Sequence, residues 1–545
     1  MDFWDKSVIC YFNLKIINRK YYYVCLPADK QVSDKPSTMI TKNLTVKIIL
    51  FVAILSLITR LAFINTNIFF FDGDEAILGL MGIDILNGKL PVYFYGQNYG
   101  LSILEAGLIS IGIIFFKTSM LAIKIPMLIL WTTSVIFIAL SFNKILKEKN
   151  LTILLVIAVL IFSPTWLVWS MKARGGYLTS FFFTSLTLFL LVKNSGKIKP
   201  WLWLITGAFL VIIYEAQPLW LPGILPVILY FFFTSKYTIT DYLKSAGMTV
   251  LGAAAPYLFF HEAKTTAYVA WNTPQPNVMA RLFDINIIKK LPDLLVESLG
   301  GNYFLSTVYE PGNYFYSKLF LLLFTACAGF LIYRLYQTKK IELSFIFLLS
   351  SLFSLSGFAV KSEPRYLLPF LGFALFMMVA IFSENENEKI KKIFIISFSA
   401  LILTGVFCMS NLRNFSFVNM SLTKVDKVIV NDTKVMEKLI QLLKRENVKY
   451  VYTTNEFLQY QLNYMTRNEL IAVGRKDRCR TPENIPLIMD AYEKHSEQFA
   501  IIGYNFNYQF TGKMPLIDKK IFYIIRPDKA TLQQVGFFSE VKPVQ

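Results

Sequence analysis

Charge is scarce in this chain of 545 residues: Asp, Glu, Lys and Arg make up 17% of it, where soluble enzymes carry about a quarter. With 55% hydrophobic residues and a mean hydropathy of +0.48, that shortage argues against a soluble enzyme and for an integral membrane protein. Cysteine is sparse too. Cys10, Cys25, Cys327, Cys408 and Cys479 are scattered, odd in number and without C-x-x-C spacing, which speaks against a disulfide framework or a zinc cluster. Acidic residues are outnumbered, 36 against 55 Lys and Arg, for a net charge of +19. A nucleic-acid partner is not expected from this surplus, because basic links between spans are what membrane topology demands. The 49 Phe and 29 Tyr likewise fit lipid-facing surface and interfacial belts better than base stacking. Residues 1–38 lack a continuous apolar stretch and are not a cleaved signal peptide; Met39 reads as the start of a membrane protein, with 1–45 as a cytoplasmic N-terminal extension.

Apolar runs are present at about 46–66, 100–116, 121–142, 151–169, 177–192, 201–214, 219–235, 245–260, 319–336, 341–360, 366–382 and 393–410. Several fall short of the roughly 20 residues that cross a 30 Å hydrocarbon core, so they must tilt, thin the bilayer or insert part way. If all twelve cross, the basic links 143–150, 193–199 and 334–340 land outside. Laying 100–116 along the outer surface removes the conflict. Eleven spans remain, those links become cytoplasmic together with 236–244 and Lys389, Lys391 and Lys392, the N-terminus is inside and the C-terminus outside. Segments 69–100, 170–177, 214–220, 261–318 and 361–367 then face one extracytoplasmic side.

After about residue 411 the composition turns mixed and charged. The patterning predicts helices over 432–446, 456–466 and 483–495 and strands over 449–454, 469–473, 499–504 and 521–527. No Gly-rich phosphate loop, His/Cys metal spacing or nucleophile elbow marks this part, so its role is unreadable. The expected fold class is an all-α polytopic membrane domain over 46–410, followed by a small extracytoplasmic α/β domain over 411–545.

The densest polar cluster on the outer side is Asp72, Asp74 and Glu75. A partly desolvated carboxylate at a membrane boundary can act as a general base or hold a divalent cation. Equally, Asp72 or Asp74 can simply cap the following helix. Arg174 and Arg365 suit phosphate, since a guanidinium fork matches its oxygens and stays charged, although an arginine at a helix end can also snorkel to headgroups. Arg60 lies within the first span and reads as structural, and Glu215 as a helix-end carboxylate. Glu105, a lone carboxylate on an apolar helix, is a functional candidate. The 261–318 loop carries Tyr268, Trp271, Tyr303, Tyr309, Tyr314 and Tyr316, with Gly300-Gly301 as a flexible point; these rings either stack on sugars or form an interfacial belt.

The stretch 72–107 resembles the first outer loop of bacterial membrane glycosyltransferases with the C-type fold, the group related to protein O-mannosyltransferases and aminoarabinose transferases. The matching residues are Asp74-Glu75, then Gly96-Gln97-Asn98-Tyr99, then Glu105. Met171-Lys172-Ala173-Arg174-Gly175-Gly176-Tyr177 looks like the second outer loop of bacterial members, and Glu363-Pro364-Arg365-Tyr366-Leu367-Leu368-Pro369 like their late Pro-Arg-Tyr motif. The resemblance covers roughly 46–410. It implies a polyprenyl-phosphate-sugar donor reached from the bilayer, and transfer to a glycan, lipid or protein acceptor on the outer face of a bacterial plasma membrane. It further implies Asp74 as base with Glu75 as its partner, inversion at the anomeric carbon, and Glu105, Arg174, Tyr177, Glu363, Arg365 and Tyr366 around donor and acceptor. A divalent metal on Glu105 and His261 is a further possibility, with Glu105 displaced by about a helical turn from the family's position. A polyprenol-linked sugar translocator is the alternative; it should carry polar residues near the membrane midplane rather than at one surface.

Overall fold

The computed structural model describes residues 37–64, 72–146, 150–195, 199–234, 238–270, 277–301, 314–413, 433–474, 479–504, 515–517 and 521–538. Contacts divide the chain into two units, Met1–Lys47 and Ile48–Gln545, and every candidate site residue belongs to the second.

Helices dominate: α1 (Ser37–Leu61), α2 (Gly73–Leu86), α3 (Ile103–Phe116), α4 (Met120–Ile145), α5 (Asn150–Ile161), α6 (Pro164–Trp169), α7 (Tyr177–Lys193), α8 (Pro200–Ala216), α9 (Leu221–Thr234) and α10 (Ile239–Thr266), then α11 (Tyr314–Thr338), α12 (Leu343–Ser354), α13 (Leu368–Glu384) and α14 (Glu388–Arg413). Among the described residues five segments are long and apolar enough to cross a membrane: Met120–Ile145, Tyr314–Thr338, Leu343–Val360, Pro364–Glu384 and Glu388–Ser410. Five more apolar helices are shorter, including Ile103–Phe116, Tyr177–Lys193 and Pro200–Ala216. Short apolar helices beside long ones match the expectation that several runs fall below full crossing length. Pro164 opens α6 and divides the 151–169 run, while Pro218 lies in the break between α8 and α9, the helices of the 201–214 and 219–235 runs. The 14 residues of α3 rise only about 21 Å, short of a 30 Å core.

Helix α13 is apolar on all sides and buried on all sides, from Phe370 to Phe382, as a helix with no polar face must be. Rings lock it in place, with Phe142 and Phe347 packed on Phe376 at 4.6 and 4.9 Å and Phe324 on Phe370 at 4.8 Å. Gly223 admits the Phe373 ring, which a Cβ there would meet at 2.2 Å. Small residues also set the pairing of α8 with α10: a Cβ on Gly207 would lie 2.0 Å from the Thr249 carbonyl and one on Gly252 1.8 Å from that of Leu204. Large apolar side chains are left outward-facing on α10 and α14, among them Val250, Leu258, Ile396 and Leu403, the pattern of a lipid-facing surface.

Beyond α14 the described chain forms α15 (Thr433–Arg445), β1 (Tyr450–Thr453), α16 (Glu456–Met465), β2 (Ile471–Val473), α17 (Asn484–Lys494), β3 (Phe499–Tyr504), β4 (Leu516–Ile517), β5 (Ile521–Ile525) and α18 (Lys529–Gln534). A helix or strand lies at each position the patterning assigns; β4 and α18 are additional. The five-stranded sheet runs β2-β1-β3-β5-β4, with β1 parallel to β2 and β3, and β5 antiparallel to β3 and β4. Tyr452, Val473, Phe499, Ile501, Phe522 and Phe537 fill its core. This part is fastened to the helices. Tyr464 of α16 lies against Gly79 of α2, whose absent side chain makes the room, and its hydroxyl donates to the Ser119 carbonyl at 2.9 Å.

The aromatic segment 261–318 is not one open loop. Its first residues belong to α10, short helices occupy Val278–Leu282, Ile285–Ile288 and Leu291–Val296, and α11 begins at Tyr314. Trp271, Tyr303 and Tyr309 lie outside the described residues.

Candidate active site

Three acids at the start of α2 have three different environments. Asp72 is the N-cap: its Oδ1 accepts the Glu75 N–H at 3.0 Å, and Glu75 Oε2 accepts the Asp72 N–H at 3.1 Å, closing a capping box. The helix-cap alternative is thus realised by Asp72. Burial raises the Asp72 carboxyl, but Lys172 and Arg174 outweigh it and hold it well below the usual carboxylate range. Its Oδ2 sits 2.9 Å from Lys172 Nζ and 3.6 Å from an Arg174 nitrogen.

Glu75 is fully buried, with Oε1 2.5 Å from Lys124 Nζ of α4 and accepting the Ala173 N–H at 3.3 Å. Burial pushes its carboxyl up, opposed by Lys124. Glu75, expected as the partner of Asp74, is sent inward by the helical rotation, where it ties α2 to α4 and to the 170–177 turn. Asp74 points the other way. Its carboxylate lies 2.9 Å from one Arg174 nitrogen and 3.8 Å from one of Arg480, and the side chain keeps 15% of its surface open.

The 170–177 turn supplies both Lys172 and Arg174, and Glu105 holds it. Glu105, buried at the start of α3, accepts the N–H of Arg174 at 3.2 Å, of Gly176 at 3.1 Å and of Thr179 at 3.3 Å, and the Thr179 hydroxyl at 3.3 Å. Gly176 has φ +91°, and a Cβ there would strike the Ala216 carbonyl at 2.7 Å, so only glycine makes this turn into α7. Arg60 packs against the same turn, fully buried over the Trp131 ring at 4.2 Å and donating to Ser170 Oγ at 3.2 Å, which is the structural role expected of it.

Glu105 therefore faces the turn, which it holds in place. Both of its oxygens already accept from N–H and O–H donors, one of them from three, so its charge is directed into the turn. His261 is exposed on α10 and stacks on Tyr257 at 6.0 Å, and no group of three His, Cys, Asp or Glu placed to hold a metal occurs among the described residues. These residues do not fit a metal site. Glu215 is also occupied, accepting the Tyr93 hydroxyl at 2.8 Å and pairing with Lys264 at 2.7 Å.

Burial pushes the Glu105 carboxyl up to about 7, against the four donors that favour its charged form. The folded value exceeds the unfolded 4.5, so stability from this group is fully present below pH 4.5 and is lost as pH rises through 7. Relative to Glu105→Gln, which cannot ionise, the wild type should lose ~3 kcal/mol of stability across that window. Thermal unfolding of both proteins in detergent at the two ends of the window checks this; a pH-independent difference would show the carboxyl to be unshifted.

The late motif comes to the same place. Glu363 is buried, 2.7 Å from Arg365 and 2.6 Å from Lys361, and the Arg365 guanidinium lies 5.4 Å from the Tyr366 ring centre. Arg365 interacts electrostatically with Tyr177, Glu363, Tyr366 and Asp74. Tyr99, half open at 45%, interacts likewise with Tyr366, Arg480, Asp74 and Arg365. Asp74, Arg174, Tyr177, Glu363, Arg365 and Tyr366 are thus brought together, while Glu75 and Glu105 stand behind them as supports. Arg480 is not among the residues the sequence singles out. It lies in a segment without a motif, and only packing of the C-terminal part against α2 carries it to Asp74. Lys124 is equally unmarked, being one basic residue at the start of an apolar helix.

No protein-family model matches the chain, and no curated protein sequence matches it. Among solved structures, the chain is similar to the crystal structure of ArnT from Cupriavidus metallidurans in the apo state, at 12% identity and a TM-score of 0.42, covering 89% of this chain and 98% of that one. It is also similar to ArnT from the same organism bound to undecaprenyl phosphate, at 11% identity and a TM-score of 0.42, covering 91% of this chain and 99% of that one.

Proposed function

We propose that this protein is a multi-pass membrane glycosyltransferase of the C-type fold. It moves one sugar from a polyprenyl-phosphate carrier to a glycolipid, envelope glycan or protein on the outer face of a bacterial plasma membrane. Its sidedness is the one read from the basic links: N-terminus cytoplasmic, 46–410 in the membrane, 411–545 outside. The observation that carries this reading is Asp74, an accessible carboxylate in contact with Arg174 and Arg480 and within electrostatic reach of Arg365.

That combination suits one reaction class. The acceptor oxygen attacks the anomeric carbon, Asp74 takes the hydroxyl proton, and the bond to the phosphate oxygen breaks with its electron pair retained by the phosphate. Direct displacement inverts the anomeric centre. A phosphodiester with one charge becomes a monoester with two, and arginines aimed at that oxygen stabilise the added charge. Tyr99 and Tyr366 supply faces for a sugar ring.

Turnover tests the proposal. The purified protein is given polyprenyl-phosphate sugars together with membrane extract as acceptor source, and release of polyprenyl phosphate is followed. Release that depends on the extract is the expected result. Donor binding with no release for any sugar, combined with movement of the donor between leaflets of a vesicle, would replace the transferase by a translocator.

A further inference from the structure

We infer that Arg480, carried by the C-terminal part of the chain, is a binding residue for the phosphate of the lipid carrier, so that this part completes the site. The inference rests on the transferase reading and deepens it. Arg480 is placed from four sides. Its backbone N–H donates to the Tyr460 hydroxyl at 2.9 Å, Nη1 donates to the Tyr95 carbonyl at 3.3 Å, the guanidinium lies over the Phe94 ring at 4.8 Å, and Nη2 is 3.8 Å from Asp74. The turn it crosses is cut to fit: Gly96 has φ +72°, and a Cβ there would meet Arg480 Cγ at 2.8 Å. A side chain held over an aromatic face and against a backbone carbonyl, 11% exposed, presents its guanidinium in a fixed direction with little entropy left to lose.

Its position relative to Asp74 gives it a task. Arg174 and Arg480 share that one carboxylate. When Asp74 takes the acceptor proton it becomes neutral, and its hold on both guanidinium groups falls. In the same step the carrier phosphate gains a negative charge. With Arg480 and Arg174 staying in place, their charge then acts on the leaving group in place of the base, an interaction that strengthens toward the transition state and therefore accelerates the step rather than tightening ground-state binding alone. Arg365 adds a third guanidinium from the late motif.

The full-length protein in detergent is compared with Arg480→Gln and Arg480→Lys in three measurements: donor turnover, binding of undecaprenyl phosphate, and melting temperature. Arg480→Gln is expected to lower kcat by about a hundredfold, on the scale of losing one charge-stabilising donor, and to weaken undecaprenyl phosphate binding by about tenfold. Arg480→Lys restores part of both, and melting is unchanged. Wild-type kcat and binding in Arg480→Gln would overturn the inference. So would losses that track a lowered melting temperature and are not relieved by lysine, since these mark a merely structural contact. If the wild type turns over no donor, the transferase reading fails separately, and the binding comparison alone decides Arg480: undecaprenyl phosphate held equally by wild type and Arg480→Gln, or by neither, overturns it.

Discussion

Asp74→Asn should leave the protein folded and reduce turnover by about a thousandfold or more. Asparagine keeps the size of the side chain and an oxygen that accepts from Arg174, so the ion-pair site at 2.9 Å becomes an ordinary hydrogen bond and the start of α2 is undisturbed. The cap belongs to Asp72, not Asp74, so helix stability does not depend on the change. The negative charge and the ability to receive a proton are lost, and a positioned base contributes about two to four powers of ten. Release of polyprenyl phosphate at saturating donor measures the loss, which should fall on kcat with little change in donor KM. Retained turnover would remove Asp74 from the base role and require another group to take the acceptor proton.

The neighbouring residue should behave in the opposite way. Glu75→Ala is expected to destabilise the fold by about 3–5 kcal/mol, because it leaves the Lys124 ammonium buried without a partner. Both side chains of the pair are closed to solvent, at 0% and 3% exposure, so water cannot replace the lost carboxylate. The capping box and the bond from Ala173 are lost with it. A double variant, Glu75→Leu with Lys124→Met, removes both charges and should recover most of the loss, since a buried pair replaced by apolar residues of similar volume is often neutral or better. Thermal unfolding of the two variants in detergent separates the cases. A Glu75→Ala protein that melts like wild type but no longer turns over donor would make Glu75 a partner in the chemistry after all.

Asp74 and Glu75 are adjacent acids that look alike on paper. Successive helical residues differ by about 100° in direction, so the two cannot share a face. Which of them faces inward depends on Lys124, 49 residues further along the chain, and on the Ala173 turn. Glu105 is a similar case. A lone carboxylate on an apolar helix signals a role, but that role is set by N–H groups of Arg174, Gly176 and Thr179, which carry no side-chain signature for it.

Other features were legible because they are local. A run of apolar residues long enough to form a buried helix shows in the sequence, as does the β-branched and aromatic character of β1, β3 and β5. The Asp72-x-x-Glu75 spacing of a capping box is equally local, and the Gly175-Gly176 pair marks a sharp turn. Hydropathy scores composition and does not see where Pro164 divides the 151–169 run into two helices.

By itself the sequence determined the membrane class, the elements of the C-terminal part, and three short motifs whose charges suit a phosphate-bearing donor. These follow from composition and from contacts within a few residues. Only the tertiary structure decided that Asp74 faces outward while Glu75 and Glu105 face in, and that Arg480, 385 residues from the Tyr95 carbonyl it bonds, belongs to the same cluster. The physical reason is that a side chain's partner is fixed by packing between distant elements, here the Tyr464 ring on Gly79, and no local pattern encodes such a contact.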